Sequence, residues 1–335
     1  MSDVARVANV SATTVSHVIN KTRKVNPATE KAVRDAIDAT GYAADTIARS
    51  LRTGRSHTIG LAMTAISNTY FGDVVHSLER EATSRGYTLI LTDTHDEPQR
   101  ELRAIRHLLS HRVDGLVLAP SAGPAQAYAQ VLRRKIPLVL IDRVPSEVLP
   151  RVDAVGVHNV EPIASLVDHL VVAHGHTRIG MLAPKTGIFT TQERIAGFHL
   201  GLERNGLDPG DAPLEHAGED ADQTSAALER ILDRPSPPTA LVLGNNLITV
   251  STIAGLRRRG ITPPHGIATV SFDDFPWADS FQPRLTTISQ PVDELGAVAA
   301  RLLLERMEDP GQASRYVRLT PTFQLRESCG CPPAA

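Results

Sequence analysis

The sequence predicts a small all-α head followed by an α/β body of two doubly wound parallel-sheet lobes. Three observations point there. Residues 3–25 (DVARVANVSATTVSHVINKTRKV) fit two short helices joined by a tight turn. From Thr58 onward, short continuous apolar runs alternate with amphipathic stretches of helical length, as expected of parallel strands covered on both faces. That series runs through twice, so two similar lobes fit it better than one. At 335 residues the chain is also long for a single core.

In the head, Val4, Ala5 and Ala8 give a small apolar face before the turn, and Val10 sits in the turn. Val15, Val18 and Ile19 give a second apolar face, and Ser11 is placed to N-cap the second helix. Ala12, Thr13, Ser16, His17 and Asn20 form the opposite, polar face of that helix. A short helix with small hydrogen-bonding side chains on its outer face can enter a DNA major groove, as in a helix-turn-helix. The same pattern also fits an ordinary helical hairpin with a solvated face. Charge favours DNA. Residues 1–56 hold nine Lys/Arg against five Asp/Glu, a net +4, while the whole chain is −2, which leaves about −6 for the body. Arg23 and Lys24, just past the helix, suit phosphates or the groove edge. A third helix is expected over 27–40, opened by Pro27, with Ala32, Val33, Ala36 and Ile37 inward. One head buries too little for useful specificity, so a homodimer reading a near-palindrome is expected.

In the body, strands are predicted at 58–63, 88–92, 115–119, 137–141, 154–157, 178–182, 240–243, 268–272 and 285–288. Helices are predicted at 71–85, 98–111, 124–134, 161–174, 191–206, 222–232, 246–259 and 291–308. Doubly wound sheets bind ligands at the carboxyl ends of their strands, so two lobes put the site in the cleft between them. Asp142, Asn245 and Asp273 follow three such strands, and Arg194 stands near the start of a helix. Carboxylates and an amide can bind vicinal hydroxyls, and an Arg fork can bind a hydroxyl or acid while pairing with a carboxylate. Each also has a bland reading; Asn245 fits a helix cap equally well. Tyr70 and Phe71, on the loop after the first strand, fit either stacking on a ligand ring or packing the lobe.

The runs DVARVANVSATTVSHVIN, GY and ARSLRTGRS resemble the DNA-binding head and hinge of the lactose-repressor (LacI/GalR) family. NTYFGDVVHSLEREATSRGY, VDGLVLAP, PLVLIDR, HGHTRIGML, ERIAGF, PTALVLGNN, VSFDDFPWA and LTTISQP resemble its ligand-binding body, in the family's order. The resemblance implies a head at 1–44, a hinge at 45–56 and a periplasmic-binding-protein-like body at 57–335. It puts lobe 1 at about 57–155 and 287–318 and lobe 2 at about 156–286 and 319–335, with crossings near 155, 286 and 319. It also implies that the hinge helix (DTIARSLR, 45–52) orders on double-stranded operator DNA, with Ala48, Leu51 and Arg52 in the minor groove and Leu51 as the wedge between base steps. In the body it implies effector contacts from Tyr70, Phe71, Asp142, Arg194, Asn245 and Asp273. Together these describe a repressor switched by a small molecule, most simply a carbohydrate. The family's tetramers carry a leucine-heptad tail, whereas this chain ends CGCPPAA, so a dimer is expected.

The chain also departs from the family. Asn9 stands where Gly is usual; Asn tolerates the left-handed turn conformation. Asn245-Asn246 replaces a common Asn-Asp, and GEDADQTS (218–225) lacks the aromatic often present there. The purine-binding branch carries an Arg six residues before the place of Arg194; here it is Ile188, which argues against a purine.

No G-x-G-x-x-G, P-loop, G-x-S-x-G or H-E-x-x-H motif occurs, so no enzyme and no cofactor are expected. His158, His169, HGH (174–176) and His216 lack metal-ligand spacing with carboxylates or cysteines and read as surface or capping groups. Cys329 and Cys331 are too close for a comfortable disulfide and read as free thiols without partner ligands. No apolar run approaches about 18 residues, so neither a membrane span nor a signal peptide is expected, and a cytoplasmic protein follows. A sugar carrier without DNA function is the alternative, and the basic head counts against it.

Overall fold

The computed structural model describes residues 1–20, 23–41, 55–64, 68–122, 126–145, 152–218 and 220–333. The chain divides into two compact units, Met1–Ser56 and His57–Ala335.

In the head, α1 (Ser2–Val7), α2 (Ala12–Asn20) and α3 (Pro27–Thr40) enclose a core of Val4, Ala5, Val15, Val33 and Ala36. The turn is made by Asn9 at φ 51°, the left-handed conformation expected of it. Ser11 Oγ accepts from Thr14 N–H at 3.1 Å and caps α2. Asn26 caps α3 through Ala28 N–H at 3.0 Å, Pro27 fills the first turn, and Gly41 ends the helix at φ 60°.

The body holds two six-stranded sheets. The first comprises β1 (Thr58–Met63), β2 (Thr88–Asp93), β3 (Gly115–Leu118), β4 (Leu138–Asp142), β5 (Asp153–Val157) and β11 (Tyr316–Leu319), in the order β11-β5-β4-β3-β1-β2. All its pairings are parallel. The second comprises β6 (Ile179–Ala183), β7 (Leu214–His216), β8 (Ala240–Leu243), β9 (Ala268–Phe272), β10 (Thr286–Ser289) and β12 (Thr322–Gln324), in the order β12-β10-β9-β8-β6-β7. Its strands are parallel except for antiparallel β12 at the edge. Central strands such as Leu138–Asp142 and Ala268–Phe272 are buried throughout, because helices cover both faces. The covering helices are α4 (Thr69–Ser84), α5 (Pro98–Ser110), α6 (Gln126–Arg133), α7 (Val160–Val172), α8 (Phe189–Arg204), α9 (Ala221–Leu232), α10 (Asn246–Arg258) and α11 (Val292–Glu308).

The chain changes sheets after β5, after β10 and after β11. The expected crossings near 155 and 286 therefore move to the strand ends: 156–157 stay in the first sheet, and 286–289 lie in the second. A strand that left its ladder midway would abandon paired backbone groups. β7, β11 and β12 escaped the sequence pattern, being three or four residues long and partly exposed. Among the described residues no helix is long and apolar enough to cross a membrane.

Candidate functional site

A cavity of about 340 Å³ opens between the two lobes. Tyr70, Phe71, Asp142, Arg194, Asn245 and Asp273 all line it, so the structure brings together the six residues singled out in the body. Asp142 ends β4 and Asp273 follows β9, at matching places in the two sheets. Both adopt left-handed backbone, with φ of 64° and 71°. Such conformations cost energy in non-glycine residues and persist where the surroundings enforce them. Here they turn both carboxylates at the strand ends into buried positions, 8% and 4% exposed.

Arg194 is aimed by helix packing. A Cβ at Gly197 would lie 2.3 Å from Val160 O, and one at Gly201 would lie 2.6 Å from Val167 Cβ, so α8 sits tightly on α7 only because both are glycines. That approach brings Arg194 to Asn159, just before α7. Arg194 Nε donates to Asn159 Oδ1 at 2.9 Å and Nη1 to Gly244 O at 2.7 Å. The guanidinium lies 3.9 Å from the centroid of Phe272, and Nη1 stands 3.7 Å from Asp273 Oδ2. Cation–π contact and neutral acceptors thus hold a buried cation against one carboxylate.

In the other lobe, Tyr70 Oη lies 2.8 Å from Asp142 Oδ1 and 3.2 Å from Gln290 Oε1. Gln290 Nε2 donates to Asp273 Oδ1. A phenol has one proton, so it donates to one of its two oxygen neighbours and leaves the other short of a donor. Burial pushes Asp142 and Asp273 above the ordinary carboxylate pKa, against the pull of the two arginines. Burial, then the two carboxylates, holds the Tyr70 phenol well above its usual value. The polar chain Asp142–Tyr70–Gln290–Asp273 is therefore rich in acceptors and poor in donors.

Besides the Tyr70–Gln290–Asp273 chain, further contacts bridge the lobes beside the cavity. Asn246 Nδ2 donates to Asn68 Oδ1 at 2.8 Å. Arg318 on β11 pairs with Glu193 on α8. The amide at 246 is thus used: Asn68 Oδ1 already accepts from Tyr70 N–H, and an aspartate at 246 would set two acceptors face to face. That cap also corrects the placing of the aromatics. Tyr70 and Phe71 belong to the first turn of α4, not to a loop, because Asn68 starts the helix earlier. They meet edge to face at 4.9 Å, and Arg143 stands 5.7 Å from the Phe71 centroid. Asn245 does cap α10, accepting from Ile248 N–H at 2.9 Å, and lines the cavity as well.

Sequence reasoning missed Arg143, Asp96 and Gln290. Arg143 pairs with Asp96 and stands 3.7 Å from Asp142. It directly follows Asp142, and Gln290 directly follows TTIS, so both lay beside residues already singled out. Asp96 gave no signal, since only the fold brings its loop to β4.

On α2, Ala12 and Thr13 are exposed, Ser16 and His17 are half-buried, and Arg23 and Lys24 beyond the helix are exposed. Val15 faces the core. Asn20 ends α2. The hinge at 45–52, with Ala48, Leu51 and Arg52, lies outside the described residues.

A three-helix head and a two-lobe cleft on one chain invite comparison with known proteins. Residues 1–45 match the family model for bacterial regulatory proteins of the lacI family, and 167–329 match the periplasmic binding protein-like domain. The repressor PurR of Aliivibrio salmonicida (strain LFI1238) is 32% identical over 98% of both chains. The chain belongs to the lacI family. The ribose operon repressor of Escherichia coli (strain K12) is another lacI-family relative, 33% identical over 98% of this chain and 99% of its own. The structure of the Lac repressor dimer bound to operator and the anti-inducer ONPF has the same fold, with TM-score 0.86, 24% identity and 98% coverage of each chain. This lacI-family chain is a transcriptional regulator whose head is the family's DNA-binding module and whose body has the ligand-binding fold.

Proposed function

We propose that this regulator is a cytoplasmic repressor that binds a near-palindromic operator as a homodimer and releases it when a sugar-like ligand enters the cleft. The ligand is bound and not turned over. One observation carries the ligand class: buried acceptors short of donors, faced by a fixed guanidinium. Sugar hydroxyls supply further donors to Asp142, Gln290 and Asp273 and accept from Arg194, whereas an apolar molecule adds no donor to these acceptors. Ile188, apolar and on the cavity wall, stands where the purine-binding branch carries an arginine and favours a sugar over a purine. The kinship with a ribose operon repressor makes pentoses the first probes.

On DNA, Thr13, Ser16 and His17 read base edges and Ala12 meets a thymine methyl. Asn20, Arg23 and Lys24 meet phosphates or the groove edge, and Ala48, Leu51 and Arg52 meet the minor groove. Calorimetric titration of the full chain with ribose, hexoses, polyols, nucleosides and purine bases tests the ligand class. A sugar binding in the micromolar range supports it, and tight binding of a purine base with no sugar bound overturns it. Operator selection with Thr13→Ala and His17→Ala tests the reading face. Each lost base contact should cost about 1–3 kcal/mol and relax the preference at one position. An unchanged preferred sequence refutes the assignment.

A further inference from the structure

His169 and His174, and the sequence-remote pair Cys329 and Cys331, converge on one spot of lobe 2. One imidazole nitrogen from each histidine and both sulfurs all lie within 4.8 Å of one another. This corrects the sequence reading, in which these histidines and thiols had no partner ligands. About 155 residues separate the two pairs, and only the return of the C-terminal tail along β10 joins them. We propose that the four side chains form a structural zinc site that clasps this tail to the end of α7.

The geometry suits the metal. Zinc bound at about 2.3 Å to sulfur and about 2.0 Å to nitrogen in a tetrahedron spaces neighbouring S and N ligands roughly 3.5 Å apart. Here His169 Nε2 lies 3.4 Å from Cys329 Sγ and 3.6 Å from Cys331 Sγ, and His174 Nε2 lies 3.4 Å from Cys331 Sγ. A pair of imidazoles and a pair of thiolates is the donor set of closed structural zinc sites, and tetrahedral S₂N₂ favours zinc over hard cations.

The surroundings fit a coordinated thiolate. Thr286 Oγ1 accepts from Arg326 N–H at 3.0 Å, which leaves its single proton for Cys329 Sγ at 3.2 Å. In its thiol form Cys329 donates to Arg326 O at 3.3 Å instead. Gly330, between the cysteines, has φ 108°, and a Cβ there would lie 3.2 Å from His174 Nδ1. Only glycine lets the C-x-C loop turn and the His174 ring close over it. His169 comes from the last turn of α7, and His174 from the residues after it. Phe323 of β12 packs edge to face on His169 at 5.4 Å. The site would therefore fasten an edge strand of only three residues, whose own ladder is short.

The test uses the full chain purified without a histidine tag and under reducing conditions. Elemental analysis should find zinc bound in a ratio of about one per chain. Cobalt(II) replacement should give intense tetrahedral ligand-field bands and thiolate-to-cobalt charge transfer. Chelation should lower the melting temperature, and zinc should restore it. Cys331→Ser and His174→Gln, both at partly exposed positions, should lose the metal and the chelator sensitivity while matching the melting temperature of the chelated wild type. The proposal is overturned by no zinc above the level of either variant, or by a cobalt spectrum without thiolate charge transfer. A Cys329–Cys331 disulfide in protein purified with reductant, seen as a mass two hydrogens lighter, overturns it as well.

Discussion

The two lobes share one strand order but bring different chemistry to the cleft. Lobe 1 presents Asp142 in a set that closes on itself, held by Tyr70 and Arg143, with Arg143 in turn held by Asp96. Lobe 2 presents Arg194, held by an amide oxygen, a backbone carbonyl and an aromatic face, with Asp273 at the longer distance of 3.7 Å. Repeated topology thus places matching strand ends opposite each other, while the side chains divide the work. Lobe 1 offers Asp142 beside an arginine held by two carboxylates, and lobe 2 offers a cation held by neutral groups with Asp273 beside it. A ligand that satisfies both stabilises the arrangement in which the lobes face each other, and only such differential binding can shift a switch.

The asymmetry breaks most severely at Arg194. Arg194→Ala leaves Asp273 buried without its cation, and removing one partner of a buried pair costs about 3–5 kcal/mol. Sugar affinity should fall roughly 10- to 100-fold, the worth of one or more charge-assisted hydrogen bonds. In the Arg194→Ala, Asp273→Ala double variant the unpaired charge is gone. Stability should partly recover while sugar binding stays weakened, which separates the two effects by calorimetry. A double variant no more stable than Arg194→Ala would show that the pair is not coupled.

Phe272→Leu sharpens the contrast on the lobe 2 side. It keeps an apolar core residue but removes the aromatic face under the guanidinium. A loss of about 1–3 kcal/mol in denaturant unfolding, with weaker sugar binding, is expected from cation–π contact and packing together. Unchanged sugar affinity would mean that the ring does not position Arg194.

Asp142→Asn probes lobe 1, and its sign depends on pH. The folded pKa of Asp142 is raised by burial above the ordinary 3.8, so the folded state holds this proton more tightly than the unfolded chain. Its contribution is most favourable below 3.8 and is lost as pH rises through the raised folded value. At neutral pH the amide should therefore be as stable as wild type or more so, and this advantage should shrink as pH falls towards 4. Thermal unfolding from acid to neutral pH checks it. An advantage that grows on acidification would contradict the assignment.

Asn246→Asp should act least. It exchanges one inter-lobe hydrogen bond for two facing acceptors, a cost of about 1–3 kcal/mol that the start of α10 offsets in part by favouring an acidic group. A few-fold loss of sugar affinity with little change in unfolding midpoint is expected. Equal affinity would show that this contact does not bias the cleft.

Much of the molecule was legible because its signals are local. Periodicity and continuous apolar runs marked the longer strands and the body helices, and Asn9, Ser11 and Pro27 marked the head's turn and helix starts. What escaped depends on tertiary folding. β7, β11 and β12 are short and partly exposed, so they lack the continuous apolar run that marked the buried four-residue strands β3 and β8. Asp96 reaches Arg143 across 47 positions, and the His/Cys cluster is assembled by a tail that returns from the far end of the chain. Arg194 was visible as a residue, but its aim was not, since that depends on Gly197 and Gly201 admitting α7.

The most direct test of a cleft that controls DNA binding is operator affinity, measured by fluorescence anisotropy with and without the best-binding sugar. It compares the full-length wild type with the Arg194→Ala, Asp273→Ala variant. Sugar should weaken wild-type operator binding by roughly 5- to 150-fold, the usual span of allosteric coupling. The variant should bind operator as tightly as sugar-free wild type and ignore the sugar. A variant that still releases operator at the same sugar concentration as wild type would place the controlling site elsewhere.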